Sequence, residues 1–337
     1  MSVVGGGSPE KGRLPTTDYR LPQAEPLSWP QVLAEVTGAL KQARRLFILS
    51  DVQTGTLAEI LQQFHRAVGL PGAVAFHEAF DYEPLKAANE KLFGRPVLPR
   101  YRLDDCDLIL SFGADFLETW ISNVEFAAQF RGWRKDEGLS RVSTEGSDRS
   151  FNHQSSIIDH RSSLVYLGPR LSLTAANADH FLPVPPGQEL RVATALVQEV
   201  ARVRGLPITD LNSEGAQGSN PQFQAVARRF ANARNAVALG GPVGATGPAA
   251  ENLARVVMLL NRAVGAIGRT VDFSQVHALS RVTPTAHVEQ MLADLGPEDV
   301  LIVHQANPAY SLPHQREALE RVGSLVYLGT MLNETAR

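Results

Sequence analysis

The sequence predicts an α/β protein made of two doubly wound lobes with parallel sheets. Three observations predict it. The candidate strands are short apolar runs without alternation: Phe47-Ile48-Leu49, Leu108-Ile109-Leu110 and Leu164-Val165-Tyr166-Leu167. Such runs suit parallel strands covered on both faces. Helical stripes lie between them. The pattern then recurs further along the chain, which predicts duplicated, Rossmann-like lobes.

In chain order, residues 1–26 are Gly-rich and polar and read as a flexible tail. Ser28 is placed to cap a helix with Trp29 and Pro30 in its first turn, and Val32, Leu33, Val36 and Leu40 on one face. The run "FILSDVQTGTLAEILQQFHRAVG" (47–69) is a strand, a turn and a helix. Leu57, Ile60, Leu61, Phe64 and Val68 are expected to form its buried stripe, with Gly69 beyond its C-terminus. "VALGGPVGATGPAAENLARVVMLLNRAVG" (237–265) repeats that plan, and Thr54-Gly55 corresponds to Thr246-Gly247 at an offset of 192. "DLILSFGAD" (from 107) corresponds to "DVLIVHQAN" (from 299) at the same offset, and "SLVYLG" occurs identically at 163 and 324, an offset of 161. The first copy thus carries extra residues between its second and third strands. They fall in the polar, Ser-rich 129–163, which is read as a solvated loop with a short helix. There Arg131, Trp133 and Arg134 are weighed as a partner surface against the preferred reading, a helix with one buried Trp and two solvated arginines. Expected boundaries are a first lobe at 27–204, a linker at 205–234, and a second lobe at 235–337 that is incomplete at its C-terminus.

Bulk properties narrow the function. A net charge of −3 gives no basic field for nucleic acid, and no apolar run is long enough to span a membrane. No export signal is visible. Cys106 is the single cysteine, so no four-cysteine iron–sulfur cluster or cysteine zinc site is expected in this chain. The nine His residues show no metal-ligand spacing; His153 and His160 share the Ser-rich stretch without fixed geometry. There is no G-x-G-x-x-G, Walker loop or G-x-S-x-G elbow. Parallel α/β sheets bind ligands beyond the carboxyl ends of their strands. That singles out Gly113-Ala114-Asp115 and Ala306-Asn307-Pro308. The alternative is that Gly113 only turns the chain and Asp115 and Asn307 only cap helices. The Gly-rich loop at 238–249 could cradle phosphate through amides, but lacks the lysine of a P-loop.

Three segments together, "DLILSFGADFLETW", "LVYLGPRLSLTAANADHFLPVPPGQEL" and "VLIVHQANPAYSLP", with "LVYLGTMLNETA" behind, resemble the molybdopterin-dinucleotide oxidoreductases of the DMSO reductase and formate dehydrogenase type. Within that superfamily they look most like the molybdopterin-like large subunit of alternative complex III, a quinol-oxidising respiratory assembly. "SWPQVLAEVTGAL" and "YEPLKAANEKLFG" fit as well. The resemblance implies that each lobe takes half of a paired molybdopterin guanine dinucleotide. It would place Gly113, Ala114 and Asp115 at one nucleotide loop. Gly168, Pro169 and Arg170 with Pro186, Gly187, Gln188 and Glu189 would lie at the guanosine end, and Asn307 and Pro308 at the mirrored loop. It also implies iron–sulfur and haem-bearing partner subunits in a membrane complex, on the extracytoplasmic side.

The chain departs from the family pattern in four ways. Gly168-Pro169-Arg170 stands where Asp-Pro-Arg is common. "VAFHEAFDYEPLK" supplies no Cys or Ser ligand for molybdenum, although Glu78 and Asp81 could ligate. No four-cysteine module is present, and the family's C-terminal barrel is absent. The expected function is a subunit or fragment of a quinol-oxidising complex, without bound molybdenum and mainly structural. No catalytic or metal-binding residue is assigned. The alternatives are a fragment of a catalytic bis-pterin molybdenum oxidoreductase and a stand-alone nucleotide-binding module.

Overall fold

The structure is a computed structural model that describes residues 26–141, 163–207, 220–242 and 244–336. His153, His160 and most of the Ser-rich insertion lie outside the described residues. The elements in chain order are α1 (Trp29–Gln42), β1 (Arg45–Asp51), α2 (Thr56–Val68), β2 (Gly72–His77), α3 (Glu83–Phe93), β3 (Pro99–Tyr101), β4 (Leu108–Phe112), α4 (Asn123–Arg141) and β5 (Ser163–Gly168). Then follow α5 (Leu173–Ala176), β6 (His180–Pro183), α6 (Glu189–Arg204), α7 (Pro221–Asn232), β7 (Ala236–Gly240), α8 (Gly247–Ala263) and β8 (Val271–Val276). The chain continues through α9 (Thr285–Ala293), β9 (Asp299–His304), α10 (Pro308–Ser311), α11 (Arg316–Arg321) and β10 (Ser324–Leu328).

The protein is α/β, with doubly wound parallel sheets as the apolar runs predict. It divides into two units: residues 1–50, 61–74 and 289–337, and residues 51–60 and 75–288. The first holds a four-stranded sheet in the order β10-β9-β1-β2, and the second a four-stranded sheet in the order β6-β5-β4-β7, with the small pair β3-β8 beside it. Strands β1, β9 and β10 run parallel, as do β4, β5, β6 and β7.

The strand pairing cuts across the sequence halves. The lobes expected at 27–204 and 235–337 are contiguous, yet β1 from the first half pairs with β9 from the second. Likewise β7 from the second half pairs with β4 from the first. The registers of the two sheets correspond. Leu46 stands opposite Val300, which stands opposite Ser324. Ala236 stands opposite Leu108, which stands opposite Ser163. Under the 192 and 161 offsets, Val300 corresponds to Leu108 and Ser324 to Ser163. Parallel partners can be remote in sequence because any parallel pair needs a long crossover. The stretch expected as a linker, 205–234, contains α7, which packs on α6 through Val226, Ala227, Phe230 and Ala231.

Apolar burial explains these elements. Leu108, Ile109, Leu110, Phe112, Leu164, Leu167, Val237 and Leu239 are almost fully buried in the second unit. Leu46, Ile48, Leu49, Leu301 and Val303 are buried in the first. Two helical faces differ from expectation. In α2 the buried positions are Ala58 and Leu61, with His65 bonded to the Leu46 carbonyl at 3.0 Å, whereas Ile60 and Phe64 are 53% and 40% exposed. The helix turns its 58/61/65/68 face inward, one step from the expected stripe, so that the imidazole reaches β1. In α1 the Gln31 side chain accepts from the Ser28 N–H and hydroxyl, but no residue of the helix is buried and Trp29 is 75% exposed.

Candidate functional site

Each sheet ends in the loop that the strand-end rule selects. After β4, Gly113 takes φ +67 and its N–H donates to the Leu167 carbonyl at 3.0 Å. Ala114 is fully buried and Asp115 is 6% exposed. A buried carboxylate needs partners, and Asp115 has three. The Tyr166 hydroxyl donates at 2.7 Å, the Ser172 hydroxyl donates closely, and Arg170 donates at 2.7 Å. Arg170 also bridges to Glu118 at 3.0 Å, and Glu118 accepts from the Leu173 N–H at 2.5 Å. Burial, helped by the Asp115 carboxylate, pushes the Tyr166 phenol well above its usual range. Its hydrogen bonds to Asp115 and Glu118 hold the Arg170 guanidinium above its own. The Asp115 carbonyl is used too, accepting from Glu118, Thr119 and Trp120.

The same construction follows β9. Gln305, the counterpart of Gly113, takes φ +58 and donates to the Leu328 carbonyl at 2.9 Å. Thr335 donates from its hydroxyl to the Asn307 side chain at 2.9 Å and accepts the Ala309 N–H at 3.1 Å. Its counterpart Thr174 accepts the Leu117 N–H at 3.1 Å. Asn307 replaces Asp115, and Asn333, in the place of Ser172, donates to the Tyr327 hydroxyl at 2.8 Å. The Asn307 amide donates to Glu334 at 2.6 Å. Pro308 opens the short α10 and is buried. The acid with its arginine in one loop therefore becomes an amide with a carboxylate in the other.

The remaining expected residues sit nearby in sequence but apart in bonding. Gly168 ends β5, where an added Cβ would meet the Tyr166 ring at 2.8 Å. Pro169 is exposed. Gly187 takes φ +82 ahead of Gln188 and Glu189, which open α6. Among the described residues no hydrogen bond or ion pair ties Gly187, Gln188 or Glu189 to the Asp115 cluster. Trp133 points inward: it is 4% exposed and its indole donates to the Cys106 carbonyl at 2.6 Å. Arg134 lies over that ring and pairs with Asp179 at 3.0 Å. The buried Trp133 matches the reading of this segment as a helix packed on the protein, while Arg134 is paired rather than solvated.

A cleft of about 300 Å³ opens in the second unit where β7 ends, lined by Phe80, Asp81, Tyr82, Gly241, Thr246 and Thr285 among others. It lies beside the switch in strand order, because β5 extends the sheet on one side of β4 and β7 on the other. A Cβ on Gly113 would reach Pro242 of the adjoining loop at 3.7 Å. Neither Tyr82 nor Thr246 caps its helix, α3 or α8, through its side chain. Tyr82 has φ +52 and Ile121 φ +50; both are uncommon for such residues. The Tyr82 hydroxyl holds the pair together, accepting from the Ile121 N–H at 2.8 Å and donating to the Thr119 carbonyl at 3.2 Å. Sequence reasoning named Asp81 and the Gly240-Gly241 loop but missed Tyr82 and Thr285, since nothing in "FDYEPL" marks a left-handed tyrosine.

The donor set can be tested for metal. Asp81 accepts from the Glu83 N–H at 3.1 Å and from the Thr285 hydroxyl at 2.8 Å, and Glu78 accepts from the Ala79 N–H at 3.0 Å. The Cys106 thiol is buried ahead of β4, donates to the Arg102 carbonyl, and is pushed well up by burial. Among the described residues no three His, Cys, Asp or Glu side chains gather as a metal site would need.

No protein-family model matches the chain. It is similar to the menaquinone reductase molybdopterin-binding-like subunit of Nitratidesulfovibrio vulgaris, with 22% identity over 92% of this chain and 46% of that protein. The chain thus spans about half the length of that curated relative. Among solved structures it is similar to the formyltransferase/hydrolase complex of Methylorubrum extorquens bound to methylofuran, with a TM-score of 0.46, 12% identity, and coverage of 91% of this chain and 85% of that one. Among the described residues no helix is long and apolar enough to cross a membrane.

Proposed function

We propose that the chain is a molybdopterin-oxidoreductase-like subunit of a quinone-linked respiratory complex, and that its part is structural and docking rather than bond chemistry. The observation that carries this is the similarity along 92% of the chain to a molybdopterin-binding-like subunit. The bonding of the candidate ligands supports the metal-free form of the reading: Asp81 and Glu78 each accept hydrogen bonds within the protein. In its finer form, the reading places the chain in an assembly like alternative complex III. It lies there on the extracytoplasmic side of a membrane, and electrons pass through iron–sulfur and haem-bearing partner subunits. The corresponding registers and strand-end loops support descent of both sheets from one duplicated unit.

A bound pterin guanine dinucleotide would carry redox chemistry through its metal, with Asp81 or Glu78 as the side chains that could ligate it. The Asp115 carboxylate, its carbonyl and the Gly113 amide already make hydrogen bonds within the fold, which supports a structural part for this loop. What the chain's residues do is fix the strand ends rigidly. The reading is tested by metal and pterin analysis of the complex purified from its native membrane. The expected result is co-purifying haem and iron–sulfur subunits with molybdenum far below one per chain; molybdenum near one per chain would favour the catalytic alternative.

The cleft at the end of β7 favours a second reading, a nucleotide-binding module. Gly241, Gly244 and Gly247 all take positive φ there, which lets a backbone approach a phosphate closely. Titration calorimetry with a guanine dinucleotide tests it. Saturable binding to the isolated chain that is lost in Gly241→Val supports this reading; no heat of binding removes it.

A further inference from the structure

Two aspartates of the second unit sit in loops that follow strands, and their surroundings differ. Asp115 is matched by a cation: Arg170 pairs with it at 2.7 Å, and the Tyr166 and Ser172 hydroxyls complete its bonding. Asp81 is half-buried and lines the cleft at the end of β7. Its Oδ1 accepts the Glu83 N–H at 3.1 Å. Its Oδ2 accepts the Thr285 hydroxyl at 2.8 Å and the Thr285 N–H at 3.3 Å. Among the described residues no Lys, Arg or His lines the cleft, so none of its walls offers this carboxylate a cation. A carboxylate has about four acceptor sites, and three donors leave Oδ1 able to take one more.

The rest of the cleft limits what that donor belongs to. Phe80 is 47% exposed, and its ring lies 3.4 Å from where a Cβ on Gly244 would stand. With Leu85 and Pro242 it gives the cleft an apolar wall. A volume of about 300 Å³ is at the small end of ligand clefts, which suits one nucleotide unit rather than two. A phosphate set against Asp81 would meet a like charge with no cation to offset it. A hydroxyl there would donate to a charged acceptor, which makes one of the stronger hydrogen bonds. In dinucleotide-binding folds an acid about 20 residues beyond the glycine-rich turn takes the ribose 2′-hydroxyl. Here the acid precedes the Gly241 loop by far in the chain, so sequence spacing does not reveal the pairing.

We propose that Asp81 is the specificity-determining residue of this cleft. Its Oδ1 accepts a hydrogen bond from the ribose 2′-hydroxyl of one nucleotide, with the base against Phe80 and the phosphates along the glycine loop. The cleft thereby selects ribonucleotides over their 2′-deoxy counterparts. The inference rests on the nucleotide-binding reading above and goes beyond it, because backbone amides around a phosphate do not distinguish the two sugars.

The test is titration calorimetry of the full chain with guanosine diphosphate and with 2′-deoxyguanosine diphosphate. The expected result is at least tenfold tighter binding of the ribonucleotide. Asp81→Asn keeps an acceptor oxygen for the Thr285 hydroxyl and should fold. It is expected to weaken guanosine diphosphate at least tenfold and leave the deoxy compound unchanged. If that variant does not fold, the comparison of the two sugars on the unaltered chain decides alone. Equal affinity for both would overturn the inference and leave the nucleotide reading standing. Equal weakening of both in Asp81→Asn would also overturn it, since the carboxylate would then only shape the loop. Binding of neither compound removes the nucleotide reading and the inference with it.

Discussion

At the residue scale, Asp115 holds together three side chains of the strand end at 166–172. Asp115→Ala strips partners from the buried Tyr166 and Ser172 hydroxyls, and is expected to cost about 2–4 kcal/mol in urea unfolding, since unpaired buried polar groups are expensive. Asp115→Asn should cost less, because the counterpart loop uses Asn307 for the same role. Tyr82→Phe leaves the Ile121 N–H without its acceptor, at an expected cost of about 1–3 kcal/mol in the same assay. A third residue sets an acid dependence. Arg45 donates to Asp299 at 2.6 and 2.9 Å, and those bonds hold the Asp299 carboxyl below its usual range. A pKa depressed by folding contributes stability above the unfolded value, about pH 4, that is lost as pH falls through the folded-state value. Arg45→Met should therefore lower the urea midpoint at pH 7 and narrow the difference in midpoint between pH 7 and pH 3. An unchanged difference would show that this pair does not carry the acid sensitivity.

At the element scale, the strands were legible because parallel strands covered on both faces carry continuous apolar runs, as in Leu108-Ile109-Leu110 of β4 and Val300-Leu301-Ile302-Val303 of β9. The helical faces were less so. Ile60 and Phe64 satisfy the spacing of a buried stripe, but the bond from His65 to β1 and the burial of Ala58 select the next face round. The strand-end loops could be located by their offsets, while the partners of Asp115 could not, because Tyr166, Arg170 and Ser172 come from a strand end more than fifty residues away. Glycines give a direct check on packing at this scale. Gly72 has φ +139 and an added Cβ would lie 1.8 Å from the Leu46 carbonyl oxygen, whereas Gly38 in α1 has open space around it. Gly72→Ala should cost about 2–4 kcal/mol through backbone strain. Gly38→Ala should stabilise by about 0.5–1 kcal/mol through helix propensity. Thermal unfolding of the two variants checks both signs.

At the scale of the whole molecule, the plan is two sheets that each draw strands from both halves of the sequence. That exchange was not legible. "FILS" in β1 and "VALG" in β7 are equivalent apolar runs, and hydrophobic pattern specifies which faces are buried but not which neighbour a strand takes. Only long-range packing decides, and it places β1 beside β9 and β7 beside β4. Native-state hydrogen exchange along a urea series tests this most directly, because strands of one sheet open as cooperative units. The account predicts that residues 45–50 share one opening free energy with 299–304. Residues 236–240 should share another with 108–112 and 163–168. If 45–50 instead opened with 108–112, and 236–240 with 299–304, the strands would be grouped by sequence half and the account would be wrong.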